Sequence, residues 1–130
     1  KKVQIEARIM GEMATSHILP GAIRYQNVLL ENIRGLKEVG LEDSAYANQK
    51  QILMKISEHI SKVSGYVEAM IQARKKANAI VNTRDRAIAY SENIKNEFFD
   101  KIRYHVDKLE LLVADSYWQL PKYREMLFLR

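Results

Sequence analysis

The sequence predicts an all-α fold: an antiparallel bundle of three long helices, the first kinked near Pro20, with a C-terminal tail packed on it. Three observations carry this reading. Apolar residues recur at steps of three, four and seven through most of the 130 residues, the spacing of one helical face. The chain has only five Gly and two Pro, too few for the turn every ~8–12 residues that a β-sandwich needs. Hydrophobic residues make up 47%, which argues against disorder and supplies a core for one domain of ordinary size.

The first helix covers residues 1–39. Its apolar positions are Ile5, Ile9 and Met13, then Ile23, Leu30, Ile33 and Leu36. Pro20 lies in the middle, lacks a backbone donor and disfavours helical geometry at Leu19. A kink or break is therefore expected around residues 17–21, with Gly21 easing the bend. Gly40 suits the left-handed position that ends a helix. After a short connection from Leu41, Asp43 or Ser44 is placed to cap the next helix.

The second helix, residues 44–81, has the most regular pattern. Ile56, Val63, Met70 and Ala77 form one row, and Ile52, His59, Tyr66, Ala73 and Ile80 a second. Leu53, Ile60, Val67 and Val81 add a third. Three adjacent rows make a stripe wide enough for a bundle helix with two neighbours. The next turn is expected at Asn82-Thr83, with Asp85 beyond it; the polar run 91–93 is the alternative break. Ile94, Phe98, Ile102, Val106, Leu109 and Val113 then mark the third helix, which Asp115-Ser116 ends. Short connections between long helices make sequence neighbours antiparallel. The predicted core is Ile56, Ile60, Val63, Val67, Met70, Ile94, Phe98, Ile102, Val106 and Leu109. The whole chain reads as a single helical domain, with residues 115–130 as an anchoring tail. The first residue is Lys and helical periodicity begins at once without a cap, so the first helix is expected to continue from a preceding segment.

Little in the chain points to chemistry. Cys is absent, which removes disulfides and thiolate sites and fits a cytoplasmic location. No apolar run approaches the ~18 residues of a membrane span. His17, His59 and His105 fall on different stretches, with no pair at the i, i+3 or i+4 spacing of a helical metal site; His59 and His105 read as boundary or core positions. Glu6 and Glu12 flank Arg8, a pattern that reads as solvated surface pairs. The net charge of +5, from 21 basic and 16 acidic residues, is interleaved along the chain. The most basic stretch runs from Arg74-Lys75-Lys76 to Arg84-Asp85-Arg86. It supports an alternative reading, a helical adaptor that binds nucleic acid or acidic partners, but it lacks interleaved aromatics and any reading motif. No catalytic, cofactor-binding or metal residue is assigned.

Two Pro-containing stretches stand out. They are EARIMGEMATSHILPGAIRYQN (6–27) and the terminal WQLPKYREMLF (118–128), which holds the only Trp. Trp118 is expected to bury its ring against the bundle, Pro121 to direct the last residues, and Leu120, Leu127 and Phe128 to add apolar contact. Together with FFDKIRYHVDKLELLVAD (98–115), these stretches resemble the C-terminal helical region of bacterial type III glutamine synthetases, in order and over nearly the whole chain. The resemblance implies a parent enzyme that makes glutamine from glutamate, ammonia and ATP with divalent metal ions such as Mg, its catalytic residues lying in upstream domains. It therefore implies no cofactor within this stretch. It also implies an assembly role here, with the upstream catalytic domain and sister subunits of a homo-oligomer as partners; neither membrane nor nucleic acid is expected. Structural or interface candidates are Pro20, Trp118, Pro121, Tyr123, Leu127 and Phe128.

Overall fold

The computed structural model describes residues 2–118, all of them helix, turn or short connection. Three long helical stretches pack together, as the periodicity requires. The first comprises α1 (Lys2–Met13), a π turn (Ala14–Ile18) and α2 (Leu19–Glu38). A single 3₁₀ turn, Asp43–Tyr46, leads into α3 (Ala47–Asn78). The last stretch is α4 (Thr83–Ala89), a second π segment (Tyr90–Phe99) and α5 (Asp100–Leu112), followed by a 3₁₀ turn at Asp115–Tyr117. Among the described residues, no helix is long and apolar enough to cross a membrane.

The first turn closes on Gly40, at φ +86°. The Leu41 N–H donates to the Leu36 carbonyl and the Gly40 N–H to that of Lys37, at 3.1 and 3.0 Å. This nested pair consumes carbonyls that the helix end leaves open, and it needs the left-handed residue that only Gly adopts cheaply. The expected caps Asp43 and Ser44 do not cap α3. Asp43 instead accepts from the Tyr46 hydroxyl, which holds the 3₁₀ turn and keeps Tyr46 buried. Across this hairpin, Gln49 Nε2 donates to Asn32 Oδ1 at 2.9 Å and Gln26 Nε2 to Ser57 Oγ at 2.7 Å.

The second turn falls at the predicted Asn82-Thr83. Asn82 caps α4 by accepting from the Asp85 N–H at 3.0 Å, and the Tyr90 hydroxyl reaches back to Asn78 Oδ1 at 2.6 Å. The alternative break at 91–93 does not form; those residues lie inside the second π segment.

The core lies along α3, which packs on α5 on one side and on α2 on the other. Ile56, Val63, Val67, Met70 and Ala77 are buried, as are Ile94, Ile102, Val106, Leu109 and Val113. Three corrections follow. Phe98 is only half-buried, and its neighbour Phe99 fills the core in its place. The reason is the π segment: its wider turn spaces inward positions by five residues, from Ile94 to Phe99, where α-helical counting gives four. Ile60 packs against the core without being enclosed, and Val81 sits in the turn, 92% exposed.

The first helix buries Met13 and Ile33 as expected, but the rest of its inward face lies elsewhere. Ile5, Ile9, Ile23 and Leu30 are exposed, whereas Ala7, Met10, Ala14, Ile18, Ala22 and Leu29 are buried. Small Ala and Gly residues let this helix approach α3 closely, and a Cβ built on Gly11 would lie 3.8 Å from the end of Met70. Ranking positions by side-chain size therefore selected four outward ones beside Met13 and Ile33.

Candidate functional site: an aromatic anchor on the first helix

Pro20 does not break the helix. Leu19 keeps helical angles, φ −64° and ψ −46°, and its N–H bonds the Ala14 carbonyl five residues back. In an α-helix the proline ring clashes with the carbonyl four residues earlier. Adding a residue to the preceding turn relieves that clash while the chain stays helical, so Pro20 begins α2 where its missing N–H costs nothing. The expected break at 17–21 is thus a widened turn at Ala14–Ile18.

Gly21 lies one residue on. It is buried beneath the end of the described chain. A Cβ built there meets the Tyr117 carbonyl oxygen at 2.8 Å and two atoms of the Trp118 ring at 3.1 Å. The bare backbone of Gly21 is therefore the seat of Trp118, which is half-buried and joined to the core. Tyr117 stacks at a tilt on Tyr25, ring centres 5.3 Å apart, and Arg24 Nη2 donates to the Tyr117 carbonyl at 3.3 Å. The 3₁₀ turn that aims both rings is closed by the Tyr117 N–H on Ala114 and the Trp118 N–H on Asp115, each 3.0 Å. Of the candidates, Trp118 thus sits on Gly21, the residue after Pro20. Pro121, Tyr123, Leu127 and Phe128 lie outside the described residues.

The other sequence candidates are dispersed. Arg74 is half-buried, and Arg86 turns inward to donate to the Ile80 carbonyl at 3.4 Å, so the basic stretch is not one continuous surface. The expected pairing of Arg8 with Glu6 or Glu12 does not form; among the described residues the ion pairs are Lys101–Glu97 and Arg103–Asp100. His59 and His105 meet across α3 and α5, Nδ1 to Nδ1 at 2.8 Å, one ring donating to the other. Tyr66 and Tyr104 flank His105. Burial holds both imidazoles below their ordinary pKa, because a charged ring loses hydration there; Lys108 lowers His59 further, and His59 and Lys62 lower His105 further, while Glu58 opposes both shifts. Among the described residues no three His, Cys, Asp or Glu side chains gather as a metal site. Sequence reasoning missed the His pair and the Gly21 seat. Their signals were present, since His59 lies in the second apolar row of α3 and His105 directly precedes the core residue Val106.

The geometry defines a helical packing module, in which the described contacts are those of one element laid against another. Its relatives carry the description further. Residues 1–37 match the family model for the glutamine synthetase C-terminal domain. The chain is 42% identical, over 98% of its length, to a glutamine synthetase of Bacteroides fragilis (strain YCH46). It is 24% identical to the type-3 glutamine synthetase of Dictyostelium discoideum, over all of its length, and to a glutamine synthetase of Butyrivibrio fibrisolvens over 98%. Over residues 1–37 the chain belongs to the glutamine synthetase C-terminal domain family, and nearly its whole length aligns with these synthetases. It spans 18% of the length of each of these relatives.

Proposed function

We propose that this chain is the helical C-terminal part of an ATP-dependent glutamate–ammonia ligase, and that it serves assembly by packing against the catalytic domain or neighbouring subunits. The observation that carries the reading is the alignment itself: 98% of this chain against 18% of a synthetase, at 42% identity. The outward Ile5, Ile9, Ile23 and Leu30 support it, because they lie within the stretch that matches the family model and leave aliphatic surface uncovered on one helix. ATP and Mg belong, in this reading, to the longer polypeptide. The chain by itself is expected to make no glutamine and to show no stoichiometric ATP site by calorimetry.

The test is sedimentation of the longer synthetase with Ile9→Glu and Ile23→Glu, beside the same variants of the 130-residue chain. The reading expects the large assembly to shrink while the 130-residue chain keeps its helicity and melting temperature. An assembly of unchanged size and activity in both variants would sink it.

A further inference from the structure

The Nε–H of Arg74 is shielded from solvent and has no hydrogen-bond partner among the described residues. A buried donor left unpaired is costly, and such groups are few in folded proteins. Arg74 lines a cleft of about 290 Å³ between α1, the first π turn and α3. Arg8 and Glu12 line the same cleft from α1, and Thr15 and Ser16 from the π turn. Neither arginine is in an ion pair with a described residue. Two guanidiniums facing one small space repel each other, and the single carboxylate of Glu12 balances only one of them. The side chains lining the cleft therefore sum to an excess positive charge beside two hydroxyls, and the unused Nε donor belongs to one of them.

Nε is also half of the side-on fork by which arginine grips a planar or tetrahedral oxyanion with two parallel hydrogen bonds. We propose that this cleft is an oxyanion site, taking a phosphate or carboxylate group between Arg8 and Arg74 with the Thr15 and Ser16 hydroxyls as further donors. The widened turn that accommodates Pro20 thus also shapes one wall of a binding cleft. Its volume holds an ion or a single side-chain carboxylate. The assignment stands independently of the assembly role.

The experiment titrates the 130-residue chain with inorganic phosphate, and separately with acetate, at constant ionic strength. The arginine Nε–H resonances are followed by NMR. The Arg74 signal is expected to shift saturably, with Arg84, exposed on α4, as the reference for nonspecific screening. Arg8→Gln, at an exposed position, and Arg74→Lys, which keeps the charge but loses the fork, should each weaken binding by about tenfold; Lys75→Gln should leave it unchanged. Saturation by phosphate alone confines the site to phosphate. Saturation by acetate as well extends it to carboxylates, including acidic side chains of a neighbouring segment. A shift that stays linear and parallels Arg84, or equal binding by the parent, Arg8→Gln and Arg74→Lys, overturns the proposal.

Discussion

The two π segments lie at opposite ends of the chain and have different causes. The one at Ala14–Ile18 answers a local demand: Pro20 follows it, and the wider turn clears the ring from the helix behind it. The one at Tyr90–Phe99 has no proline in it or in the helix that follows it, Asp100–Leu112. What it accomplishes is tertiary, because it carries the inward face from Ile94 to Phe99 and then delivers Ile102, Val106 and Leu109 to α3. One departure from α geometry is imposed by covalent structure and the other by packing. The first therefore has a visible cause in the sequence, whereas the second shows only when the partner helix is in place.

The largest effect sharpens the packing side of this contrast. Phe99→Ala should cost ~3–5 kcal/mol by denaturant melts, from lost transfer energy and the cavity left behind. Phe98→Ala, at a half-buried position, should cost only about 1–2 kcal/mol. Equal losses would mean that the stretch runs as an ordinary α-helix.

Next in size is the glycine beside the first π turn. Gly21→Ala puts a methyl group within 2.8 Å of the Tyr117 carbonyl oxygen and 3.1 Å of the Trp118 ring. Backbone on one side and a ring on the other leave it little room, so about 1–3 kcal/mol should be lost. The only Trp should then shift its emission to the red. Unchanged fluorescence and stability would show that the seat does not hold the ring.

Pro20→Ala addresses the local cause directly. With the ring gone and a donor restored, the turn is expected to relax toward α geometry, at a net change below about 1 kcal/mol. Carbon chemical shifts across residues 13–20 would report the change. A π turn that survives intact would show that packing dictates both segments, and the contrast would break.

The smallest effect comes from pH. His105 meets His59 only in the register that the second π segment sets. Both rings titrate below their ordinary value of 6.5 in the fold, so the unfolded chain takes up protons first as pH falls. Stability should be full above about pH 6.5 and decline below it, until the folded rings are themselves protonated. His59→Gln should flatten that part of the pH profile; an undiminished slope would assign it to other groups.

These particulars mark what the sequence makes legible. Gly40 and Asn82-Thr83 announced both turns, because cap and turn chemistry is local. The row Ile56, Val63, Met70 and Ala77 was legible because α3 is 32 residues of unbroken α-helix, where a step of seven holds. Phe99 was not, since counting by 3.6 fails across a stretch that is not wound that way. Apart from Met13, the inward face of α1 was missed because close helix approach selects Ala and Gly there, which a search for large apolar residues passes over. Nothing signalled that Arg74 and Arg8 line one cleft, because they lie on separate helices and nothing in their spacing links them.

The first π turn also divides the opening helix by the partners on which it depends. Beyond it, α2 packs on α3, its neighbour across one short loop; Gln26 and Ser57 are 31 residues apart. Before it, α1 leans chiefly on the second π segment, some 85 residues further along the chain. Closing that larger loop costs about 1 kcal/mol more in chain entropy. The helical hairpin of α2 and α3 is therefore expected to form first, with α1 winding on only after residues 90–99 arrive. In native-state hydrogen exchange, the amides of residues 5–13 should open more readily than those of residues 23–33, and the change in protection should fall at Ala14–Ile18. One continuous helix would then belong to two cooperative folding units, with the proline-driven turn as the seam between them.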